Sequence, residues 1–452
     1  MKFGGTSVAD AAAFENVARI VAAAREASPV VVVSAMSGVT DSLLAATTTA
    51  IETSSSAAIA SLEKTFQRHH AVARELLSDG EAEKFVEEVN NSANRVASLL
   101  KSIQPDSDHK ALQDAVVSFG EALSSTLLAA VLNQRGVPAQ QVDACRCIIT
   151  NEEYTCAAPL INETFAGCQK ELRPLLDDNI VPVLGGFIAA TLSGSTTTLG
   201  RGGSDYTAAL VGAALSASEI QIWTDVTGVL TADPRVVPEA QTIERLSYSE
   251  AAELAYFGAK VLHPKTIQPA IESGTPVRIC NSHAPDGGST LVGPETETSP
   301  RTLKAIAHKP GVTTVQITSA RMLGAYGFLR ALFEVFERHR TVVDVVTTSE
   351  VSVSLSLDDA ERLPEIVEDL EKLGTVRVEK GRAIICVVGE GLRGTPGVAA
   401  QVFSTISDIN VTLISQGASS INFTFAIEEE RLHEAVRRLH AAFFTHDKAQ
   451  KG

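Results

Sequence analysis

The sequence opens with Lys2-Phe3-Gly4-Gly5-Thr6-Ser7, a pattern typical of a strand that ends in two glycines and turns into a helix. Glycine has no Cβ, so backbone N–H groups at such a turn can approach a phosphate closely. Lys2 adds a compact, mobile cation that suits phosphoryl oxygens. The pattern is not a Walker A loop, because Gly-x-x-x-x-Gly-Lys-Ser/Thr does not occur in the chain. Taken alone, it also fits an ordinary strand-to-helix turn with one exposed lysine.

Apolar, β-branched runs alternate with helical patterns over the first two-thirds of the chain. Pro29–Ser34, Val181–Leu184 and Glu219–Trp223 predict buried strands. Strands that alternate with helices predict a mainly parallel sheet covered by helices on both faces. Residues 55–103 are charged, amphipathic and poor in glycine, which predicts helices in a lid or a side layer. These patterns indicate an α/β domain over residues 1–295.

A stretch at 281–301 is rich in Gly, Pro, Ser and Thr, which predicts a domain boundary, and the chain beyond it repeats itself. Phe333 and Phe403 occupy matching positions, 403 − 333 = 70 residues apart. Each unit predicts strand, helix, strand, strand, helix, strand, so the pair forms two ferredoxin-like α+β modules at 311–378 and 383–448. The position of this pair after the α/β domain favours a regulatory function, and an ordinary duplicated α/β unit is the alternative.

Composition excludes several classes of function. The net charge of 38 − 54 = −16 argues against nucleic acid and against an anionic membrane surface as partners. We expect no apolar run long enough to span a bilayer. The 6 cysteines form no Cys-x-x-Cys pair and have no histidine at zinc-ligand spacing, so we expect reduced thiols and no metal held by the protein.

Two further phrases follow the opening in a fixed order: Thr198-Leu199-Gly200-Arg201-Gly202-Gly203-Ser204-Asp205-Tyr206, and then Trp223-Thr224-Asp225 with Asp233-Pro234-Arg235 behind it. In the first phrase the arginine offers a bidentate fork for a carboxylate, and the glycine pair exposes backbone donors at the start of a predicted helix. The three phrases together resemble the aspartate kinase family, and the likeness covers nearly the whole chain.

This resemblance implies an amino-acid-kinase fold, a mainly parallel sheet between helices, followed by two ACT domains. It implies transfer of the ATP γ-phosphate to the β-carboxylate of L-aspartate, which gives 4-phospho-L-aspartate and begins the route to lysine, threonine and methionine. Another amino-acid or nucleotide kinase of the same fold is one alternative, and such kinases generally lack paired ACT modules. A non-catalytic amino-acid sensor is the other, and the intact Lys2, Glu121 and Arg201 argue against it.

The resemblance assigns catalytic roles to Lys2, which would neutralise charge on the transferring phosphoryl group, and to Asp205, which would organise Lys2. It assigns aspartate binding to Ser34, Thr40, Glu121, Arg201, Gly202, Gly203 and Ser204. In this set Glu121 would pair with the substrate ammonium, and Arg201 would hold a carboxylate. Thr40 and Asp205 also fit helix-capping residues.

The resemblance assigns ATP binding to Lys2, Gly4, Gly5, Thr224, Asp225, Leu230, Arg235, Lys260 and Val261. Leu230 stands where several members of the family have tyrosine, so aromatic stacking on adenine is lost there. Mg²⁺ is expected to arrive with the nucleotide rather than in a protein cage.

The resemblance places an effector pocket in the first module, at Met322, Ala325, Phe328, Leu329, Val342, Val343, Asp344, Ser349 and Glu350. The acids Asp344 and Glu350 suit the cation of a diamino acid, so lysine is expected as the inhibitor, with threonine second. Met322, Phe328 and Val343 also fit the core of the module. The family further implies a cytoplasmic homodimer or homotetramer assembled through the ACT domains.

Overall fold

The computed structural model describes residues 1–104, 108–258, 264–294, 303–324, 326–358, 360–417 and 419–444. The chain forms two compact units. The first comprises Met1–Val229, Glu244–Tyr248 and Val261–Pro294, and the second comprises Leu230–Ile243, Ser249–Lys260 and Glu295–Gly452.

The first unit is built on parallel strands. Its strands are β1 (Lys2–Phe3), β2 (Val31–Val33), β3 (Ala139–Val142), β4 (Ile149–Thr150), β5 (Val181–Gly185), β6 (Ile188–Thr191), β7 (Thr196–Thr198), β8 (Ile220–Thr224), β9 (Arg245–Ser247), β10 (Val277–Asn281) and β11 (Thr290–Gly293). The central sheet has the order β3-β5-β2-β1-β8-β10-β11-β9, and β4, β6 and β7 form a small second sheet. Every neighbouring pair from β3 to β10 is parallel, which confirms the predicted α/β class.

Helices cover this sheet and extend to one side. They are α1 (Ala11–Ala23), α2 (Val39–Glu52), α3 (Ser55–Ser61), α4 (Glu63–Leu76), α5 (Asp79–Lys101), α6 (Lys110–Gln134), α7 (Ile161–Asp177), α8 (Gly203–Ala214), α9 (Tyr248–Tyr256, most of it in the second unit) and α10 (Gln268–Ser273). The helices α3, α4 and α5 are the side layer that the charged stretch at 55–103 predicts.

The helix α6 is the most apolar of the long helices. Among the described residues it alone is long and apolar enough to cross a membrane, with a mean hydropathy of 1.7 in its most apolar window. This corrects the expectation that no segment reaches that length. However, 67% of the window is buried inside the fold, which is the pattern of a core helix. The helix also carries buried acids, and these belong to the site described below.

The stretch at 281–301, predicted as a boundary, contains a strand. Within it, β11 pairs antiparallel with β10 and parallel with β9. Its turn-forming residues flank the strand, and composition alone did not separate the two. The first unit therefore extends to Pro294.

The second unit contains one antiparallel sheet. Its strands are β12 (Ala305–Thr318), β13 (Val346–Thr348), β14 (Ser352–Leu357), β15 (Thr375–Val388), β16 (Val411–Gln416) and β17 (Asn422–Glu428), and its helices are α11 (Phe328–Arg338), α12 (Leu363–Glu371), α13 (Val398–Thr405) and α14 (Leu432–Phe444). The sheet has the order β13-β14-β12-β15-β17-β16.

The two long strands β12 and β15 belong to both modules. They pair along their whole lengths, from Ala305 opposite Val388 to Thr318 opposite Thr375. The first module takes the later part of β12 and the earlier part of β15. The second takes the rest of β15, and its fourth strand is Ala305–Lys309. The predicted order of elements is therefore wrong for the second module, since its last strand precedes the first module in the chain.

Each module has its own apolar core. The first is formed mainly by β12, β14, α11 and α12, including the buried Phe336. The second is formed by β15, β17, α13 and α14, and it also contains Ala232, Val236 and Val237. The segment Leu230–Ile243, which carries two predicted nucleotide residues, thus packs with the second module.

Candidate active site

The candidate site of the first unit begins where its central strands end. Lys2 lies on β1, the strand between β2 and β8. The backbone N–H of Gly4 donates to the carbonyl of Trp223 at 3.1 Å, and that of Ser34 donates to Phe3 at 3.0 Å. Because parallel strands end at the same edge of a sheet, the residues after β1, β2 and β8 meet there.

Lys2 and Asp205 form an ion pair at this edge. The Nζ of Lys2 lies 2.7 Å from Oδ1 of Asp205, and the two side chains are 11% and 16% exposed. Asp205 sits in the first turn of α8. A pair this far removed from water interacts more strongly than a surface pair. The carboxylate therefore fixes where the lysine ammonium points.

Glycines shape the loop before α8. Gly202 has φ +74°, a conformation that side chains rarely adopt, and it caps the helix. A Cβ on Gly203 would lie 2.7 Å from the ring of Phe187, so only glycine fits there. Ser204 follows, and its Oγ accepts a hydrogen bond from the Ser34 hydroxyl at 3.0 Å. The N–H of Gly203 donates to the carbonyl of Gly200 at 3.0 Å and closes the turn, and the helix N-terminus that follows favours an anion.

Glu121 is buried in the middle of α6, with 3% of the residue exposed. Burial raises the pKa of its carboxyl group to about 8, against the opposing effect of hydrogen bonds from the Ala35 backbone and the Thr40 side chain. Its Oε2 has no hydrogen-bond partner among the residues that the structure describes. A buried acid with a free oxygen suits a ligand ammonium, which would both pair with it and ionise it.

One cavity of about 510 Å³ contains all nine residues predicted for catalysis and aspartate binding. These are Lys2, Ser34, Thr40, Glu121, Arg201, Gly202, Gly203, Ser204 and Asp205. Arg201 is exposed, and within the described ranges it forms no hydrogen bond or ion pair. The cavity therefore places the cations Lys2 and Arg201 and the buried acid Glu121 around the same small volume, as a dicarboxylic amino acid would require.

The cavity also has walls formed by residues to which the sequence analysis assigned no role, namely Asp41, Leu44, Gln113, Asp114, Val117, Thr155, Phe187, Thr198 and Gly200. Asp114 could have been found, because it lies seven residues before Glu121. That spacing is two helical turns and places both acids on one face of α6.

The predicted nucleotide residues fall into three groups. In the first unit Gly4 and Gly5 follow β1, Thr224 ends β8, and the Thr224 hydroxyl donates to the next residue, Asp225, at 3.1 Å. Leu230 and Arg235 belong to the second unit, where the exposed Arg235 pairs with Asp233 at 2.6 Å. Lys260 and Val261 lie outside the described residues.

The predicted effector residues do not share one environment. Met322, Phe328 and Val343 pack against the core of the first module, as the alternative interpretation held. Leu329, Val342, Ser349 and Glu350 are exposed, and Ser349 bonds to Ser352 through their hydroxyls at 2.7 Å. Ala325 lies outside the described residues.

Asp344 already has partners within the chain. Its side chain is 3% exposed and lies 3.4 Å from the Nζ of Lys309. The Tyr256 hydroxyl donates to it, and Lys309 also pairs with Asp358. Burial raises the pKa of Asp344 to about 8, and the neighbouring Asp358 adds to the shift. None of Tyr256, Lys309 and Asp358 was singled out from the sequence.

The family comparisons agree with this architecture. Residues 1–281 match the model of the amino acid kinase family, and residues 385–443 match an ACT domain. The fold and the site thus define an amino-acid kinase that carries ACT modules.

Relatives that match nearly the whole chain identify the family within the amino acid kinases. The chain is 39% identical to chloroplastic aspartokinase 1 of Arabidopsis thaliana, over 98% of this chain and 80% of the relative. It is 38% identical to lysine-sensitive aspartokinase 3 of Escherichia coli (strain K12), over 98% of both chains. The structure of E. coli aspartokinase III with aspartate and ADP matches with a TM-score of 0.81 and 37% identity, over 98% of this chain and 99% of that one. The chain belongs to the aspartokinase family, which confirms the predicted family and fold class.

Proposed function

We propose that this aspartokinase transfers the γ-phosphate of MgATP to the β-carboxylate of L-aspartate and releases ADP and 4-phospho-L-aspartate. The observation that carries this proposal is the single cavity containing the Lys2–Asp205 pair, Glu121 and Arg201. Its charges match the ammonium and carboxylates of a small dicarboxylic amino acid. The E. coli relative, whose structure contains aspartate and ADP, adds independent support.

The residues of the cavity have complementary roles in this reaction. Glu121 would receive the aspartate ammonium, and Arg201 would bind a carboxylate through its fork. An oxygen of the β-carboxylate then attacks the γ-phosphorus while the bond to the ADP oxygen breaks. Lys2, held by Asp205, stabilises the charge on the transferring group. Phosphoryl transfer depends mostly on such positioning and electrostatics.

The nucleotide enters as its magnesium complex, and the metal would neutralise charge on the phosphate oxygens. Within the described ranges no group of three His, Cys, Asp or Glu side chains is placed to hold a metal. The magnesium ion would arrive with the nucleotide, held by phosphate oxygens and water. We assign nucleotide contacts to Gly4, Gly5, Thr224, Asp225, Leu230, Arg235, Lys260 and Val261, together with Lys2.

A hydroxylamine-trapping assay tests the activity. Purified enzyme with MgATP and aspartate should yield the hydroxamate of the acyl phosphate, whereas glutamate, N-acetylglutamate and uridine monophosphate should consume little ATP. Turnover of one of these three in place of aspartate would establish a different kinase of the same fold. No turnover of any of them by the folded protein would establish a sensor.

We further propose feedback inhibition by lysine, with threonine as the weaker effector, through the first module. The E. coli relative is named lysine-sensitive, and a second structure of it contains lysine and aspartate. In this chain the acids Asp344 and Glu350 supply the charge that a diamino acid needs. We place the kinase domain at 1–295 and the ACT domains at 311–378 and 383–448.

We also propose a cytoplasmic homodimer or homotetramer, joined through the ACT domains, that begins lysine, threonine and methionine synthesis. The first module exposes apolar side chains that a second copy would cover, including Leu329 and Phe333 on α11 and Val342. All six cysteines are free thiols, which fits a reducing compartment. A monomer mass by light scattering at micromolar concentration, with full activity, would contradict the assembly.

A further inference from the structure

Asp114 is an acid in the wall of the cavity whose carboxylate accepts three hydrogen bonds. The residue is fully buried in the second turn of α6. Its Oδ2 accepts hydrogen bonds from the backbone N–H groups of Thr155 at 2.8 Å and Thr198 at 3.0 Å. Its Oδ1 accepts one from the Thr198 hydroxyl at 2.7 Å. Three donors on one carboxylate hold two separate chain segments to the helix.

Both segments flank the loop that carries Arg201. Thr198 ends β7, two residues before Gly200, and its carbonyl accepts from the N–H of Ala157. Thr155 has φ +71°, an uncommon conformation for a β-branched residue. Its carbonyl lies 3.2 Å from where a Cβ of Gly200 would be. Asp114 thus holds the chain just before Arg201, at Thr198, and the neighbouring segment at Thr155, which lies against Gly200.

The same helix holds the other end of the proposed substrate site. Glu121 lies seven residues after Asp114, about 10 Å along the helix axis, and both line the cavity. A single rigid helix therefore carries the acid for the ammonium and anchors the loop bearing the carboxylate-binding arginine.

We propose that Asp114 is a positioning residue that determines substrate length, because it fixes the distance between Glu121 and Arg201. That distance would select aspartate over its homologue glutamate, which has one more methylene group. The inference rests on the proposed function, since it presumes that these two residues hold the ends of the substrate.

The decisive variant is Asp114→Asn, which keeps the shape of the side chain. An amide has one acceptor oxygen and turns an NH₂ group toward one of the donor sites, so the three bonds cannot all persist. We expect the KM for aspartate to rise roughly tenfold, with the KM for ATP unchanged, since a hydrogen bond to a charged group is worth about that much. The ratio of kcat/KM for aspartate to that for glutamate should fall by a similar factor.

Two threonine variants form a matched pair. Thr198→Val removes one of the three bonds to Asp114, and it should lower the aspartate-to-glutamate ratio in the same direction by a smaller factor. Thr197→Val, at the neighbouring residue of β7, removes an equally buried hydroxyl that bonds to Thr150 at 2.7 Å. Thr197 does not line the cavity, so this variant should keep the wild-type ratio.

The outcomes separate positioning from simple folding. A lowered melting temperature in Asp114→Asn with an unchanged substrate ratio would overturn the proposal. So would a ratio in Thr197→Val that falls as far as in Thr198→Val. If Asp114→Asn does not fold, a folded Thr198→Val with the wild-type ratio overturns it equally. Failure of the wild-type enzyme to phosphorylate aspartate would instead refute the proposed function.

Discussion

The proposed active site and the proposed effector site differ in how their charges are satisfied. In the active site Glu121 keeps a buried oxygen that has no hydrogen-bond partner among the described residues, and Arg201 lines the same cavity. In the effector site the corresponding acid, Asp344, already meets Lys309 and Tyr256. A substrate can therefore bind directly to Glu121 and Arg201. An effector cation that binds Asp344 would instead have to displace the Lys309 ammonium. Under these proposals, aspartate binds to groups that are already placed to receive it, whereas lysine binding requires Asp344 to exchange Lys309 for the effector.

The largest effect should come from the ion pair that prepares the active site. Lys2→Ala and Asp205→Ala should each lower kcat by roughly a hundredfold to a thousandfold, because the stabilised charge develops in the transition state. The KM for aspartate should change little. The control is Lys84→Ala, which removes an exposed ion pair of the same 2.7 Å length. Near-normal turnover in either folded active-site variant would remove that residue from the catalytic set.

A second prediction concerns the vacant oxygen of Glu121. Glu121→Gln removes the negative charge but keeps the shape, and it should weaken aspartate binding by about 1.5–3 kcal/mol. ATP binding should persist, because the nucleotide needs no buried anion. Calorimetric titration with each ligand measures both quantities. A loss of ATP affinity with aspartate affinity retained would reverse the assignment.

The effector site should respond less strongly. Asp344→Ala and Glu350→Ala should each raise the lysine concentration for half-inhibition about tenfold, as expected for a charge-assisted contact. Uninhibited kcat should stay constant, because neither residue lines the cavity. Glu334→Ala, which breaks the exposed pair with Arg330 in the same module, serves as the control.

The exchange of partners is tested by a change in the opposite direction. Lys309→Met removes the internal cation, so lysine should inhibit at a roughly threefold lower concentration, since it no longer competes with the chain. Lysine and threonine titrations at subsaturating aspartate provide the measurement. Inhibition of wild type by threonine alone would refute the choice of effector. Unchanged lysine sensitivity in all of these variants would refute the site.

The active site should also show a pH dependence. Since the pKa of Glu121 is raised to about 8 in the free enzyme, its carboxylate is mostly protonated at neutral pH. The KM for aspartate should fall about fivefold between pH 7 and pH 8, as the partner of the ammonium ionises. Glu121→Gln should abolish this slope. A wild-type slope that survives in the variant would assign the titration to another group.

The same raised pKa affects stability with a defined sign. The folded enzyme retains a proton on Glu121 that the unfolded chain loses near pH 4.5, the ordinary value for glutamate. The free energy of unfolding should therefore decline as the pH rises from about 4.5 toward 8. Saturating aspartate should reduce this decline.

The sequence predicted those parts of the fold and the site that depend on neighbouring residues. Gly202 and Gly203 specify the start of α8 locally, through backbone conformation and close approach. The apolar runs likewise identified β2, β5 and β8. The family and the activity class inferred from these phrases are confirmed by the full-length relatives. The assignments of individual site residues stay predictions.

What the sequence did not predict depends on residues far apart in the chain. Asp114 meets Thr198 across 84 positions, and Lys309 meets Asp344 across 35. No periodicity indicates such pairs. The predicted order of elements in the second module was wrong for the same reason, because Ala305–Lys309 pairs with the end of β15 rather than with a neighbour in sequence.

The shared strands β12 and β15 determine how the regulatory modules can be transplanted. A fragment cut at residue 383 would leave behind the five residues Ala305–Lys309 and expose the backbone N–H and C=O groups of β15 as a bare sheet edge. A fragment that ends at residue 378 would lose the end of β15 and leave Ala305–Lys309 of β12 without a partner strand. The two modules therefore have to be transplanted together, with β12 and β15 intact and with the segment Leu230–Ile243, which contributes Ala232, Val236 and Val237 to the second core.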